Sequence, residues 1–157
     1  MKNIGIISML VLLPLLTSCG FKKTNQKNSD IIHLQNITVT GEERVGYSLK
    51  NNIFLISSIN SGNKYDLEIE IIIKKIDKIK DRTGKVTRYN LEISAYLQLI
   101  NIDNKKNLQR TFIRNGNYIV ASNHTDTINN EKQATKNITK QLSDDIISFI
   151  SLSMINR

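Results

Sequence analysis

Few side chains in this 157-residue chain could carry chemistry, and their placement narrows what that chemistry is. There is one cysteine, Cys19, preceded by Leu16, Thr17 and Ser18. The two histidines, His33 and His124, lie far apart in sequence, and neither has a companion at metal-ligand spacing. No HExxH, Walker, GxGxxG or GxSxG pattern occurs. The acidic pairs Glu68/Glu70 and Asp144/Asp145 fall on the polar sides of a strand-like and a helix-like stretch. Catalysis, a metal site and a resident cofactor are therefore not expected. What remains is charge. The chain carries +8 at pH 7, and Lys74, Lys75, Lys78, Lys80, Arg82, Lys85 and Arg88 crowd one short stretch. Cations gathered around a turn attract polyanions, and arginine forks and lysine point charges both suit phosphate. Ile, Lys and Asn are abundant throughout, so a generic solvated basic surface is the plainer reading of composition alone.

The cysteine gives the basic stretch a setting. Lys2 is followed by an almost wholly apolar run from Ile4 to Leu16, the layout of a secretory signal. The run is shorter than the roughly 20 residues needed to span a bilayer, and Pro14 interrupts it. Leu16-Thr17-Ser18-Cys19 resembles the bacterial lipobox. Small residues seat in the signal peptidase, and the thiol carries a thioether-linked diacylglycerol. Residues 1–18 thus read as a signal peptide, and Cys19 as the lipid attachment site. Removal of Lys2 lowers the net charge by one. With no second cysteine there is no disulfide, so the fold must rest on its core. Each buried methylene of the lipid contributes ~0.8 kcal/mol, and more than one acyl chain makes a stable membrane anchor. Gly20, not aspartate, follows the cysteine. By resemblance to Gram-negative lipoproteins, this favours the outer membrane. Export rules out nucleic acid as the partner. The polyanion available at an envelope is phosphorylated lipid, including lipopolysaccharide.

The elements that would position these groups follow from periodicity. Residues 19–30 are polar beyond Phe21 and read as a lipidated, flexible tether. Residues 31–157 form a single domain. A strand is expected over Asn36–Thr40, ended by Gly41. Val45, Leu49, Ile53 and Ile56 recur at helical spacing within Glu42–Ile59, and Ser61-Gly62-Asn63 stops that helix. Leu67, Ile69, Ile71 and Ile73 alternate with polar residues in Tyr65–Lys80; Leu91, Ile93, Ala95, Leu97 and Leu99 do so in Val86–Ile100. Asp81–Lys85 joins these two strands as a hairpin turn. A second polar turn, Asp103–Asn107, leads to a strand over Leu108–Tyr118. After a polar stretch, Ser122–Asn130, the residues Ala134, Ile138, Leu142, Ile146 and Ile150 mark a final amphipathic helix. One apolar face per strand and one stripe per helix predict an α+β fold. It is a two-layer α/β sandwich with two helices on one face of a four-stranded, mostly antiparallel sheet.

With these features in place, the chain resembles the LPS-assembly lipoprotein family LptE. The likeness runs through Cys19-Gly20-Phe21, Arg82-Thr83-Gly84-Lys85 with the following Tyr89, the alternating strand Leu91–Leu99, Arg110-Thr111-Phe112, and the last helix with Ala134, Ile138, Gln141 and Leu142. It implies a non-enzymatic lipoprotein at the periplasmic face of the outer membrane. Such a protein plugs the LptD β-barrel, helps that barrel assemble, and binds lipopolysaccharide. It places the family's basic turn residue on Arg82, with Lys80 and Lys85 beside it. The family's second basic position, before the last helix, is here Asn123-His124. Two other readings share the anchor and the absence of catalysis. One is an accessory lipoprotein of another envelope complex. The other is a stand-alone binder of anionic lipid or glycan.

Overall fold

A computed structural model describes residues 32–155; the signal sequence, Cys19 and the tether lie outside them. Six elements follow in order: β1 (His33–Gly41), α1 (Glu43–Phe54), β2 (Lys64–Lys80), β3 (Val86–Asn101), β4 (Asn107–Ile119) and α2 (His124–Ile155). The sheet has strand order β1-β2-β3-β4. β1 and β2 are parallel, and the two remaining pairs are antiparallel. A parallel pair needs a crossover, and α1 supplies it. Both helices join one core with the apolar face of the sheet, which is the two-layer α+β arrangement expected from the pattern.

The core is the period-two pattern made solid. Leu67, Ile69 and Ile71 of β2 and Leu91, Ile93, Ala95, Leu97 and Leu99 of β3 are buried on the helix side. They meet Val45, Leu49 and Ile53 of α1 and Ile138, Leu142, Ile146 and Ile150 of α2. Each Val, Leu or Ile among them contributes ~1.5–3 kcal/mol by leaving water. β1 reaches three residues further back than its alternation suggests. Leu34 and Ile37, an odd number of residues apart, are both buried, because the β1–β2 register shifts between Leu34 and Asn36.

The helix ends also depart from the sequence pattern. α1 stops at Phe54, not Ile59. Ser58 donates its backbone N–H to Ile32 O at 2.9 Å, and Ser57 Oγ accepts from Leu34 N at 2.9 Å. Pairing with the start of β1 therefore claims the backbone that would have continued the helix, leaving Leu55 80% and Ile59 86% exposed. α2 instead starts early, at His124, because Asn123 Oδ1 accepts the Thr125 N–H at 2.8 Å and Thr127 Oγ1 accepts the Ala121 N–H at 2.9 Å. These side chains satisfy orphan backbone groups at the entry to the helix.

Strand directions give the molecule two poles. Ile32, Lys64, Asn101 and Asn107 gather at one; the β2–β3 turn, Ile119 and the start of α2 gather at the other. β1 ends at Gly41, opposite Ile71, so β2 continues past it as an edge strand from Ile72 to Lys80. Two glycines seat the helices. A Cβ on Gly46 would lie 2.8 Å from Val39 Cγ1, and one on Gly116 would lie 2.8 Å from Ile138 Cδ1. Gly46 thus lets α1 lie on β1, and Gly116 lets α2 lie on β4.

Two other glycines separate strain from collision. Gly41 (φ +92°) and Gly84 (φ +84°) both occupy backbone that side chains rarely adopt. A Cβ on Gly41 would also strike the Ile71 carbonyl oxygen, whereas nothing surrounds Gly84. Gly84→Ala is expected to cost only the conformational strain, about 1–2 kcal/mol. Gly41→Ala should cost about 2 kcal/mol more, read as a lower urea midpoint at unchanged m-value. Equal losses would show that the Gly41 backbone relaxes freely.

Candidate functional site

The β2–β3 turn is built around one carboxylate. Asp81 Oδ1 accepts from Thr83 N at 2.8 Å, Thr83 Oγ1 at 2.6 Å and Lys85 N at 3.0 Å. Asp81 N donates to Lys85 O at 2.9 Å and Gly84 N donates to Asp81 O at 3.1 Å. The hydrogen bonds from the Thr83 side chain and backbone hold the Asp81 carboxyl below its ordinary value. The turn is therefore ordered although every residue in it is exposed.

The cations near this tip divide into engaged and free. Lys80 Nζ lies 3.1 Å from Asp77 Oδ2, and Lys74 Nζ lies 3.8 Å from Glu92 Oε1. Lys78 donates to Asn117 Oδ1 at 2.8 Å. Lys75 bonds Glu131 Oε2 at 3.0 Å and sits 4.5 Å and 5.1 Å from the ring centroids of Tyr89 and Tyr118. Tyr118 donates its hydroxyl to the same Glu131 oxygen at 2.9 Å. Burial disfavours the Lys75 charge, but the hydrogen bonds with Tyr118 and Glu131 outweigh it and raise the ammonium above its ordinary value. These four lysines lie on the unpaired stretch of β2, where lysine also deters edge-to-edge pairing with foreign strands. Edge protection is a sufficient structural account of them.

Arg82 is different. It sits at the turn, exposed, with no ion pair among the described residues. Lys85 also lacks a salt bridge there, although its charge helps stabilise Asp81. Of the three residues predicted to contact lipid, the structure thus leaves Arg82 and Lys85 available together and ties Lys80 to Asp77. His124 opens α2 at the same pole, and His33 opens β1 at the opposite one. Among the described residues no group of three or more His, Asp or Glu side chains is placed to hold a metal ion. The tip can offer a guanidinium fork and an ammonium to phosphate oxygens.

The sequence pattern did not show which charges fasten the helix layer. Arg114 of β4 donates to both oxygens of Asp145 on α2, at 2.6 Å and 2.7 Å. Lys75 and Glu131 clamp β2 to α2 in the same way. The partners are 31 and 56 residues apart, so no local spacing rule announces them.

A small mixed sheet roofed by two helices on one face is the fold of solved bacterial lipoproteins. Rare lipoprotein B from Shewanella oneidensis superposes with a TM-score of 0.60 at 12% identity, over 77% of this chain and 97% of that one. A protein from Caulobacter crescentus CB15, also described as a lipoprotein, gives 0.57 at 13% identity, over 82% of this chain and 93% of that one. Among curated proteins none matches this chain in sequence. The family model LptE, described as lipopolysaccharide-assembly, matches residues 30–150, and the chain belongs to this family.

The Arg114–Asp145 pair has a pH signature. The hydrogen bonds and charge of Arg114 hold the Asp145 carboxyl below the ordinary 3.8. The stabilisation is therefore present above that ordinary value and is lost as pH falls through the depressed folded value. Because both side chains are partly exposed, Asp145→Asn is expected to cost about 1 kcal/mol at pH 7. The gap from wild type should close in acid; a pH-independent gap would assign the loss to packing.

Proposed function

We propose that this protein is a non-enzymatic lipoprotein of the outer membrane, anchored at the periplasmic face through lipid on Cys19. In this reading it plugs and helps assemble an LptD-type β-barrel and binds lipopolysaccharide on its way to the outer leaflet. The observation that carries the binding role is the pair of unengaged cations, Arg82 and Lys85, on an ordered tip at the pole away from Ile32. Membership of the lipopolysaccharide-assembly family supports the wider assignment.

The mechanism is electrostatic. A phosphate on the lipid meets the Arg82 fork, with Lys85 as a second charge across the Gly84 turn. Lys80 contributes when Asp77 releases it. Hydrogen bonds to charged groups are worth ~1.5–3 kcal/mol each, so a few contacts hold lipid firmly without making release slow. The barrel role assigns the sandwich itself to the lumen.

Arg82→Glu is expected to weaken lipopolysaccharide binding about tenfold or more with unchanged melting temperature, since the position is an exposed turn. Raised salt should weaken the wild type more than the variant. Unchanged affinity would remove Arg82 from the site. The barrel is tested by affinity isolation of the lipidated protein from detergent-solubilised envelopes. A large outer-membrane barrel of the LptD type should appear in near one-to-one amount. Recovery with inner-membrane partners, or alone, would overturn the plug assignment.

A further inference from the structure

Toward the hairpin pole the two helices do not close over the sheet. Gly46 draws α1 onto β1 and Gly116 draws α2 onto β4, so each helix covers an edge strand. The helices touch where Asn52 Nδ2 donates to Ser143 Oγ at 3.0 Å. Nearer the hairpin pole a cleft of about 500 Å³ opens between them, and its floor is Ile73 of β2 and Leu91 of β3. That volume lies within the roughly 300–1,000 Å³ of small-molecule sites.

The chemistry of the cleft is two-sided. Its base is apolar, with Val45 buried on α1 and Ile128 38% exposed on α2 beside Ile73 and Leu91. Three hydroxyls line it: Thr135 Oγ1 donates to Glu131 O and Thr139 Oγ1 donates to Thr135 O, both at 2.8 Å, while the Ser48 hydroxyl on α1 has no hydrogen-bond partner among the described residues. Both threonine donors are committed to their own helix. The lining thus offers one uncommitted hydroxyl, Ser48, beside an apolar floor suited to an alkyl chain. The rim is cationic. Arg44, Lys132 and Lys136 line the opening and have no ion pair among the described residues. Of the two carboxylates beside them, Glu131 is held by Lys75 and Tyr118, which leaves Glu42 alone against three cations.

We propose that this cleft binds one alkyl chain of an anionic amphiphile, with the chain on Ile73 and Leu91 and the head held by Lys132, Lys136 and Arg44. The site is separate from the hairpin tip and does not depend on it. Charge complementarity at the rim, above an apolar floor left open by the seating of the helices, selects this occupant. A fatty acid and a phosphorylated single-chain lipid share the required chemistry.

The test uses the intact lipidated protein in neutral detergent, with dodecanoic acid and dodecyl phosphate each carrying a terminal diazirine. Irradiation should place saturable adducts on peptides containing Ile73, Leu91 or Ile128. Labelling should fall at least tenfold in Thr135→Phe, which fills the cleft. It should fall similarly in the Lys132→Glu/Lys136→Glu double variant, whose exposed positions leave folding intact. Arg82→Glu should label as wild type does. Labelling by the carboxylate alone identifies a fatty acid, by the phosphate alone a phosphorylated lipid, and by both a general anionic site; all three support the cleft. Equal labelling by diazirine-bearing dodecyl maltoside overturns the requirement for an anion. Adducts scattered over the open sheet face at Ile72 and Ile113, unchanged labelling in both cleft variants, or loss of labelling in Arg82→Glu overturns the site itself.

Discussion

Burial of one face of β2 and β3 is the constraint from which the remaining architecture follows. Nine buried hydrophobic residues on these strands, Tyr65 among them, point the same way, and no disulfide stands behind them. A sheet of this kind is stable only when something apolar covers it. Two helices with one stripe each are the least that can do so. Their seating is decided by Gly46 and Gly116, where a missing side chain lets one layer approach the other. Because Gly46 lies over β1 and Gly116 lies in β4, each helix seats on an edge strand, and the roof parts between the helices only toward the hairpin pole.

Charge is organised around the same roof. The pairs Arg114–Asp145 and Lys75–Glu131 cross from sheet to helix and hold α2 in place. They are partly exposed and individually modest, but they direct cations inward and neutralise them. Of the cations left over, Arg82 and Lys85 stand on the hairpin turn, Arg44, Lys132 and Lys136 along the helices, and Lys64, Lys105 and Lys106 at the opposite pole.

Most of the layer plan was legible in the sequence, because alternation in β2 and β3 and the four-residue period from Ala134 to Ile150 are local signals. The errors fell where local signals were overruled. Leu55, Ile56 and Ile59 extend the helical pattern of α1, yet backbone pairing of Ser57 and Ser58 with the start of β1 ended the helix. The start of α2 was missed although Asn123 and Asp126 are ordinary helix-start residues, because its first turns carry a single apolar side chain, Ile128. At the candidate site, the cluster of cations was visible in the sequence. Its division was not, since Asp77, Glu92 and Glu131 reach Lys80, Lys74 and Lys75 only through register and packing.

The length of the β2–β3 hairpin makes it a ruler. Seventeen residues in β2 span roughly 50 Å at ~3.3 Å each, well beyond the ~30 Å hydrocarbon core of a bilayer. The described chain begins at one end of that span, and Arg82 stands at the other. Side chains alternate, so one residue inserted in the buried half of β2, up to Ile73, would turn its apolar face outward. Within that buried half the reach changes in paired steps, two residues in β2 matched by two in β3, each moving the tip by about 7 Å. Relatives with hairpins of different length would be graduated on this scale, their tips set at discrete heights by the pleat of the sheet.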